Sequence, residues 1–205
     1  MWHDLSNVKR AKALDDRASF RRFCCFARLE LTPERTAFVR FRRLLVARRL
    51  DGGLFEAITA QLKAKAITVK TGTLVDTTII PSASKDDGEG RWVKHKRRPA
   101  IHGFKAQVGA DASTALVEKV SVTLANVNDG RAGDAALPVD PGEVFADSAY
   151  RGACFRAAVR TTGGTPRVIL VAMWGRDKQE TLARLDAWNW PIHRIRGRIE
   201  KIFGT

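Results

Sequence analysis

A run of apolar and β-branched residues spans positions 71–80 and contains one carboxylate, a pattern typical of a central β-strand. Because side chains alternate along a strand, Leu74 and Asp76 share one face while Val75 and Thr77 share the other. A carboxylate inside such a strand is costly unless it is neutralised, paired or bound to a metal ion. Asp76 is therefore a candidate functional residue, and a hydrogen-bonded position at a strand end is the alternative.

The pattern of the following segments predicts a sheet around this strand. Alternating apolar positions at 103–108 and 116–124 are separated by a polar turn at 110–114, which indicates an antiparallel hairpin beside the first strand. Two further short apolar runs, at 142–146 and 167–171, predict buried strands. The sequence therefore favours a mixed α/β sheet.

Asp147 stands directly after the apolar run at 142–146. In α/β sheets the chemistry lies at the carboxyl ends of the strands, so a second carboxylate there is expected to meet Asp76 across neighbouring strands. The alternative is that Asp147 caps the next helix.

Helical spacing of apolar and basic residues predicts three short helices before residue 70. The apolar positions of the first are Phe20, Phe23, Phe26 and Leu29. The second is expected to open with Thr32 as N-cap and Pro33 at the first helical position. The third is expected to follow Asp51-Gly52-Gly53.

Two amphipathic helices are predicted near the other end, at 177–188 and 191–203. The second carries regularly spaced isoleucines on its inner face. It also places His193, Arg196 and Glu200 above one another on a single face. For Glu200, a surface ion pair with Arg196 is the alternative to a functional role.

Charge narrows the possible partners. The chain of 205 residues has a net charge of +14, and residues 1–70 hold 16 lysines and arginines against 7 acids. This excess favours phosphate contact over an ordinary solvated surface.

No apolar run is long enough to cross a bilayer and no signal peptide is recognisable, so a cytoplasmic location is expected. The three cysteines fit neither a disulfide framework nor a zinc site.

A second basic cluster follows a polar, glycine-containing loop at 81–90 that is expected to be mobile. It surrounds Trp92 and consists of Arg91, Lys94, His95, Lys96, Arg97 and Arg98. Such a cluster suits a phosphate backbone and an exposed base, although a packed tryptophan explains Trp92 equally well. His95 and His102 are expected to be solvated, because no further ligand stands at metal-binding spacing.

Five motifs, taken with their order and spacing, carry a family resemblance. They are Val-Asp-Thr-Thr at 75–78, Gly-Phe-Lys-Ala at 103–106, Ala-Asn-Val-Asn-Asp at 125–129, Phe-Ala-Asp-Ser-Ala-Tyr-Arg-Gly at 145–152 and Arg-Gly-Arg-Ile-Glu-Lys-Ile-Phe at 196–203. Together they resemble transposases of the bacterial insertion-sequence five family, a branch of the insertion-sequence four superfamily.

The resemblance implies both a fold and a site. The fold is α/β, with a ribonuclease-H-like mixed sheet flanked by helices at 71–205, after a small basic helical domain at 1–70. The site is a three-carboxylate (DDE) centre in which Asp76, Asp147 and Glu200 hold two Mg²⁺ ions, with Mn²⁺ as a substitute. Arg196 is expected to lie near a phosphate and add electrostatic stabilisation.

The implied activity is transposition, in which DNA is cut at the element ends and the freed 3′-hydroxyls are joined to target DNA. The expected partner is double-stranded DNA, both terminal inverted repeats and target. The resemblance also implies a homo-oligomer on DNA. The expected location is the cytoplasm, at the nucleoid when DNA is bound, without membrane contact. The residues expected to contact DNA are Arg40, Arg42, Arg43, Arg91, Lys94, Lys96, Arg97, Arg98, Lys105, Arg194 and Arg198.

Three positions depart from the family pattern. His193 stands where the pattern has a tyrosine, Gln107 stands where relatives have a histidine, and the pattern's lysine would fall after Thr205. A copy shortened in this way is expected to hold Glu200 loosely, to bind Mg²⁺ weakly and to nick DNA feebly without strand transfer. A metal-dependent nuclease of the same fold and a non-catalytic DNA-binding fragment stay open as alternatives.

Overall fold

The structure, a computed structural model, describes residues 6–65, 71–84, 88–94, 99–172 and 179–199. The chain divides into two units, Met1–Ala66 and Ile67–Thr205. Within the described ranges, every helix is too short or too polar to cross a bilayer.

Helices make up the first unit. They are α1 (Asn7–Asp16), α2 (Ala18–Phe23), α3 (Arg35–Ala47) and α4 (Asp51–Lys65). Ser6 caps α1, since its hydroxyl oxygen accepts the backbone N–H of Lys9 at 3.3 Å. Ala13 and Leu14 of α1 are buried, whereas no residue of α2 or α3 is.

The prediction that the first basic helix runs through Phe26 and Leu29 is wrong. Helix α2 ends at Phe23, and Cys25 adopts a left-handed backbone conformation with φ of 61° that no helix continues through. The guanidinium of Arg21 then donates to carbonyl oxygens of the following loop, which folds the chain back on α2.

The predicted start of the second helix is also wrong. Helix α3 begins at Arg35 with Glu34 in the N-cap position. The hydroxyl of Thr32 lies 3.5 Å from a carboxylate oxygen of Asp15, so it does not cap this helix. Helix α4 begins at Asp51 and includes both glycines that follow it.

A mixed six-stranded sheet organises the second unit and confirms the predicted α/β class. Its strands are β1 (Thr73–Pro81), β2 (Arg91–Val93), β3 (Ile101–Asp111), β4 (Val117–Leu124), β5 (Glu143–Ala146) and β6 (Thr165–Val168). The order is β2-β3-β1-β5-β6, and β4 also pairs with β3. β3 is antiparallel to β1, β2 and β4, whereas β5 is parallel to β1 and β6. The predicted hairpin and its place beside the first strand are therefore confirmed.

The helices of this unit connect the strands and cover them. They are α5 (Asp129–Ala132), α6 (Ala153–Thr161) and α7 (Gln179–Arg196), with 3₁₀ turns at Gly133–Ala136 and Ser148–Tyr150. Among the described residues, the single helix α7 spans the break between the two predicted helices, 177–188 and 191–203; it contains Pro191 and ends before Gly197. Positions 177–178 and 200–203 of these predictions lie outside the described residues. The side chain of Asn189 pairs with both the N–H and the C=O of Leu170, which explains why β6 ends at Val168 rather than at 171.

The core lies on both faces of β1 at its first three residues, and the rest of the strand is partly or fully exposed. Val75 is fully buried in one cluster, with side chains of β5, β6 and α6. Leu74 is fully buried in the other, with Ile192 of α7 and Ile199. The helices α6 and α7 thus cover opposite faces of the sheet, and α7 lies on the face to which Asp76 belongs.

Candidate active site

Two aspartates lie next to each other on neighbouring parallel strands. β1 and β5 pair in parallel, and their last pair is Leu74 opposite Phe145. Asp76, in the middle of β1, and Asp147, directly after the end of β5, each follow these residues by two positions, so their side chains project from the same face of the sheet. Each uses its Oδ1 to accept a backbone N–H, from Thr77 and Ala149 respectively, both at 2.8 Å. The sequence alternative for Asp147, an N-cap, therefore holds as well.

The electrostatics of this pair favour a bound cation. Burial raises the pKa of Asp76 above its ordinary value, and the charge of Asp147 raises it further, while Arg196 and the Thr77 N–H act in the opposite direction. Two carboxylates that repel each other in a half-buried place supply hard oxygen ligands, the kind that Mg²⁺ and Mn²⁺ prefer. The donor set present therefore fits a divalent cation.

Arg196 is the cation that pairs with Asp76 in this structure. One guanidinium nitrogen of Arg196 lies 3.0 Å from Asp76 Oδ2, and the two side chains are 17% and 22% exposed. The Arg196 Nε is buried and has no hydrogen-bond partner among the described residues. Sequence reasoning placed Arg196 beside a phosphate; the structure gives it a carboxylate partner and leaves Nε able to donate to one more acceptor.

A comparison with protein families identifies this unit. The model of the transposase DDE domain matches residues 67–205, which is more than half of the chain. The chain belongs to this transposase family. No solved structure matches it.

The third carboxylate of the transposase site stays a prediction. Glu200 lies outside the described residues, which end at Ile199. Ile199 itself is buried next to α7, as the isoleucine pattern predicted. Within the described ranges no three acidic, histidine or cysteine side chains form a metal-binding cluster.

The basic residues predicted to contact DNA differ in what surrounds them. Arg40, Arg42 and Arg43 of α3 are exposed, and Arg42 donates a hydrogen bond to the side chain of Asn7. On α7, the guanidinium of Arg194 lies 5.4 Å from the centroid of the Trp190 ring. Farther along, Arg198 donates to the Ala112 carbonyl at 2.6 Å.

The basic segment around Trp92 is partly built into the sheet. Trp92 lies in the short strand β2, with its ring centroid 5.3 Å from that of His102, and is 53% exposed. Arg91 donates to the carbonyls of Gly88 and Gly90, and Lys94 is exposed. The other predicted contacts in this segment, Lys96, Arg97 and Arg98, lie outside the described residues, and so does His95.

The prediction that Lys105 contacts DNA is corrected. Lys105 lies in β3 and is 5% exposed. Its ammonium group donates to Asp129 Oδ1 at 2.8 Å and to the Val127 carbonyl at 2.9 Å. A buried ammonium group with these partners is not available to a phosphate, so Lys105 has a structural role.

Sequence reasoning missed a buried polar cluster behind the aspartates. It consists of Thr77, Gln107 and Tyr150, and the hydroxyls of Thr77 and Tyr150 both donate to the amide oxygen of Gln107. Burial raises the pKa of Tyr150 far above its usual range, so its hydroxyl stays protonated. Thr77 and Gln107 are directly opposite each other in the pairing of β1 with β3. A prediction of this strand register would therefore have placed the two polar side chains in contact.

Stability should depend on pH through Asp76. Because the folded state raises the pKa of this carboxyl, the folded chain binds more protons than the unfolded chain between the two pKa values. Its free energy of unfolding should therefore fall as pH rises through that interval. Asp76→Asn is expected to remove this part of the slope. Urea unfolding of both proteins at a series of pH values below neutrality checks it, and identical slopes would contradict it.

Proposed function

We propose that residues 67–205 form the catalytic part of an insertion-sequence transposase with a ribonuclease-H-like fold. It would cut DNA at the ends of its element and join the freed 3′-hydroxyls to target DNA. The observation that carries this proposal is the placement of Asp76 and Asp147 at matching positions of the adjacent parallel strands β1 and β5, within the range matched by the transposase DDE domain. The assignment to the insertion-sequence five family rests on the motifs named above.

The acidic residues would hold two Mg²⁺ or Mn²⁺ ions. Asp76 and Asp147 would be ligands through carboxylate oxygens, and Glu200 would complete the set. Divalent ions so held lower the pKa of a bound water and neutralise the charge of a leaving oxygen. The protein supplies the geometry, because the parallel pairing of β1 and β5 fixes the spacing of the two aspartates.

Arg196 would change partners when substrate binds. In this structure it neutralises Asp76, and its Nε has no hydrogen-bond partner among the described residues. A phosphodiester entering the site would offer Arg196 several acceptor oxygens. Arg196 would then stabilise the extra negative charge that develops on the phosphate during cleavage.

The test of this function is a strand-joining assay. The purified chain is incubated with Mg²⁺ or Mn²⁺, a supercoiled target plasmid and labelled duplexes taken from the DNA that flanks its gene. Transposition predicts metal-dependent joining of labelled 3′ ends to the plasmid. Cleavage without joining would overturn it in favour of a nuclease, and binding without cleavage in favour of a non-catalytic DNA-binding fragment.

We infer that the first unit contributes to DNA binding through phosphates. Arg40 and Arg43 lie one turn apart on α3, and both are exposed. DNA affinity should therefore fall steeply with salt and depend little on sequence. Changing both arginines to glutamine is expected to reduce the slope of log affinity against log salt by about 2, or about 0.9 for each lost contact.

Binding titrations at several salt concentrations measure this slope. The matched control is Arg160→Gln, an exposed arginine of α6 outside the predicted set. An unchanged slope in the double variant, or an equal change in the control, would contradict the assignment to α3.

A further inference from the structure

The side chains of Thr77, Gln107 and Tyr150 form a hydrogen-bonded cluster on the face of β1 opposite Asp76. The Tyr150 hydroxyl lies 2.6 Å from the Thr77 hydroxyl and 2.9 Å from Gln107 Oε1. Thr77 also donates to the same amide oxygen. Gln107 is fully buried and Tyr150 is 1% exposed. The amide oxygen of Gln107 is thus a common acceptor that orients both hydroxyls.

This cluster connects the two segments from which the aspartates project. Thr77 directly follows Asp76, and its backbone N–H donates to the Asp76 carboxylate. Tyr150 ends the 3₁₀ turn that Asp147 begins, and its own N–H donates to the Asp147 carbonyl at 3.2 Å. Because the Gln107 amide oxygen accepts hydrogen bonds from both hydroxyls, it links the residue that follows Asp76 in β1 to the turn after β5.

The surroundings hold Tyr150 and Gln107 in place. The Tyr150 ring packs against the Phe155 ring with centroids 4.8 Å apart. On another side, a Cβ atom at Gly133 would lie 2.4 Å from the Tyr150 ring, so only glycine fits there. Behind Gln107, Asp129 accepts its amide N–H at 3.4 Å and the ammonium of Lys105 at 2.8 Å.

We propose that Thr77 and Tyr150 are positioning residues that set the separation of the Asp76 and Asp147 carboxylates, an inference that rests on the proposed function. Thr77 projects from the face of β1 opposite Asp76, and the Tyr150 hydroxyl meets it there, so both act through the aspartates rather than on DNA. Residues that orient metal ligands commonly alter metal affinity or activity by about 10-fold to 100-fold when changed.

The test compares two matched valine variants of β1. Thr73 and Thr77 lie on the same face of this strand, and each hydroxyl makes a hydrogen bond, that of Thr73 to the Pro141 carbonyl at 2.7 Å. Thr77→Val is expected to weaken Mn²⁺ binding about tenfold or more, whereas Thr73→Val should leave it unchanged. Tyr150→Phe should act like Thr77→Val, and Thr77→Ser, which keeps the hydroxyl, should retain affinity.

Mn²⁺ affinity is measured by electron paramagnetic resonance of the free ion, and the melting temperature of each variant is recorded. Equal losses of affinity in Thr73→Val and Thr77→Val would overturn the proposal and assign the cluster to stability alone. Unchanged affinity in Thr77→Val and Tyr150→Phe would overturn it too. If the wild-type chain itself bound no Mn²⁺, the proposed function would fail first, and this inference with it.

The single tyrosine of the chain gives a second readout. Tyrosine labelled with ¹³C in the ring yields one set of nuclear magnetic resonance signals, all from Tyr150. Adding Mg²⁺ is expected to shift them in the wild-type chain and in Thr73→Val but not in Asp76→Asn. Signals that do not move while Mg²⁺ binds would contradict the connection between Tyr150 and the aspartates.

Discussion

Asp147→Asn is expected to reduce metal-dependent DNA cleavage by more than about a hundredfold, because it removes the charge of a proposed metal ligand. The fold should survive the change. Asparagine is as good an N-cap as aspartate, and its side-chain oxygen can accept the same N–H of Ala149. The measurement is the initial rate of plasmid nicking in Mg²⁺ or Mn²⁺, with circular dichroism as the check on folding.

Asp134→Asn is the matched control for this experiment. Asp134 lies in the first turn of the other 3₁₀ segment, is exposed, and accepts the N–H of Ala135 at 2.9 Å. This variant loses the same charge in a similar local setting, so its nicking rate should equal that of the wild-type chain. Equal loss in both variants would show that net charge, and not a site at Asp147, controls cleavage.

Lys105→Met is expected to lower the free energy of unfolding by about 3 to 5 kcal/mol, the usual loss when one partner of a buried ion pair is removed. The change leaves the Asp129 carboxylate, which is 19% exposed, without its closest cation. Chemical denaturation measures the loss. The salt dependence of DNA binding should stay unchanged, because Lys105 does not reach the surface.

A second substitution separates the structural role of Lys105 from a role in DNA binding. Adding Asp129→Leu to Lys105→Met removes the stranded carboxylate and should recover a large part of the lost stability. A different result would contradict the structural role: a Lys105→Met protein of normal stability whose DNA affinity depends less on salt concentration. Lys105 would then be a DNA contact.

The pattern of residues was sufficient to predict β1, β3, β4 and β5 and the positions of Asp76 and Asp147 relative to them, but it missed β2 and misplaced the bounds of β6. Strand β1 and the β3–β4 hairpin follow from alternation and β-branched composition, which depend on local sequence. The position of Asp147 after β5 followed from the end of an apolar run. The proximity of the aspartates then came from a rule for parallel strands, and the register of β1 with β5 agrees with it.

Partners of charged side chains were not predictable, because they depend on tertiary placement. Lys105 looks solvated in an alternating strand, yet both faces of β3 are largely buried and Asp129 comes close to it. Arg196 pairs with a residue 120 positions earlier in the chain. No local pattern distinguishes an arginine that faces a carboxylate from one that faces a phosphate.

The prediction of helix boundaries failed where tertiary contacts outweigh a local sequence signal such as proline. Pro191 was expected to begin a helix, but it lies inside α7. Contacts made by Trp188, whose indole N–H donates to the Val168 carbonyl, and by Asn189 hold that helix against β6 and the segment after it. Tertiary contacts of this kind offset the hydrogen bond that proline removes.

The most direct test of the central claim is to map where a bound metal ion lies. Fe²⁺ in place of Mg²⁺, with ascorbate and peroxide, generates hydroxyl radicals that cut the backbone next to the metal. A shared site predicts cuts near Asp76 and near Asp147 in the same sample, both suppressed by excess Mg²⁺ and both absent in Asp76→Asn. Cuts near only one of the two aspartates, or cuts that persist in Asp76→Asn, would contradict a metal site formed by Asp76 of β1 and Asp147 after β5.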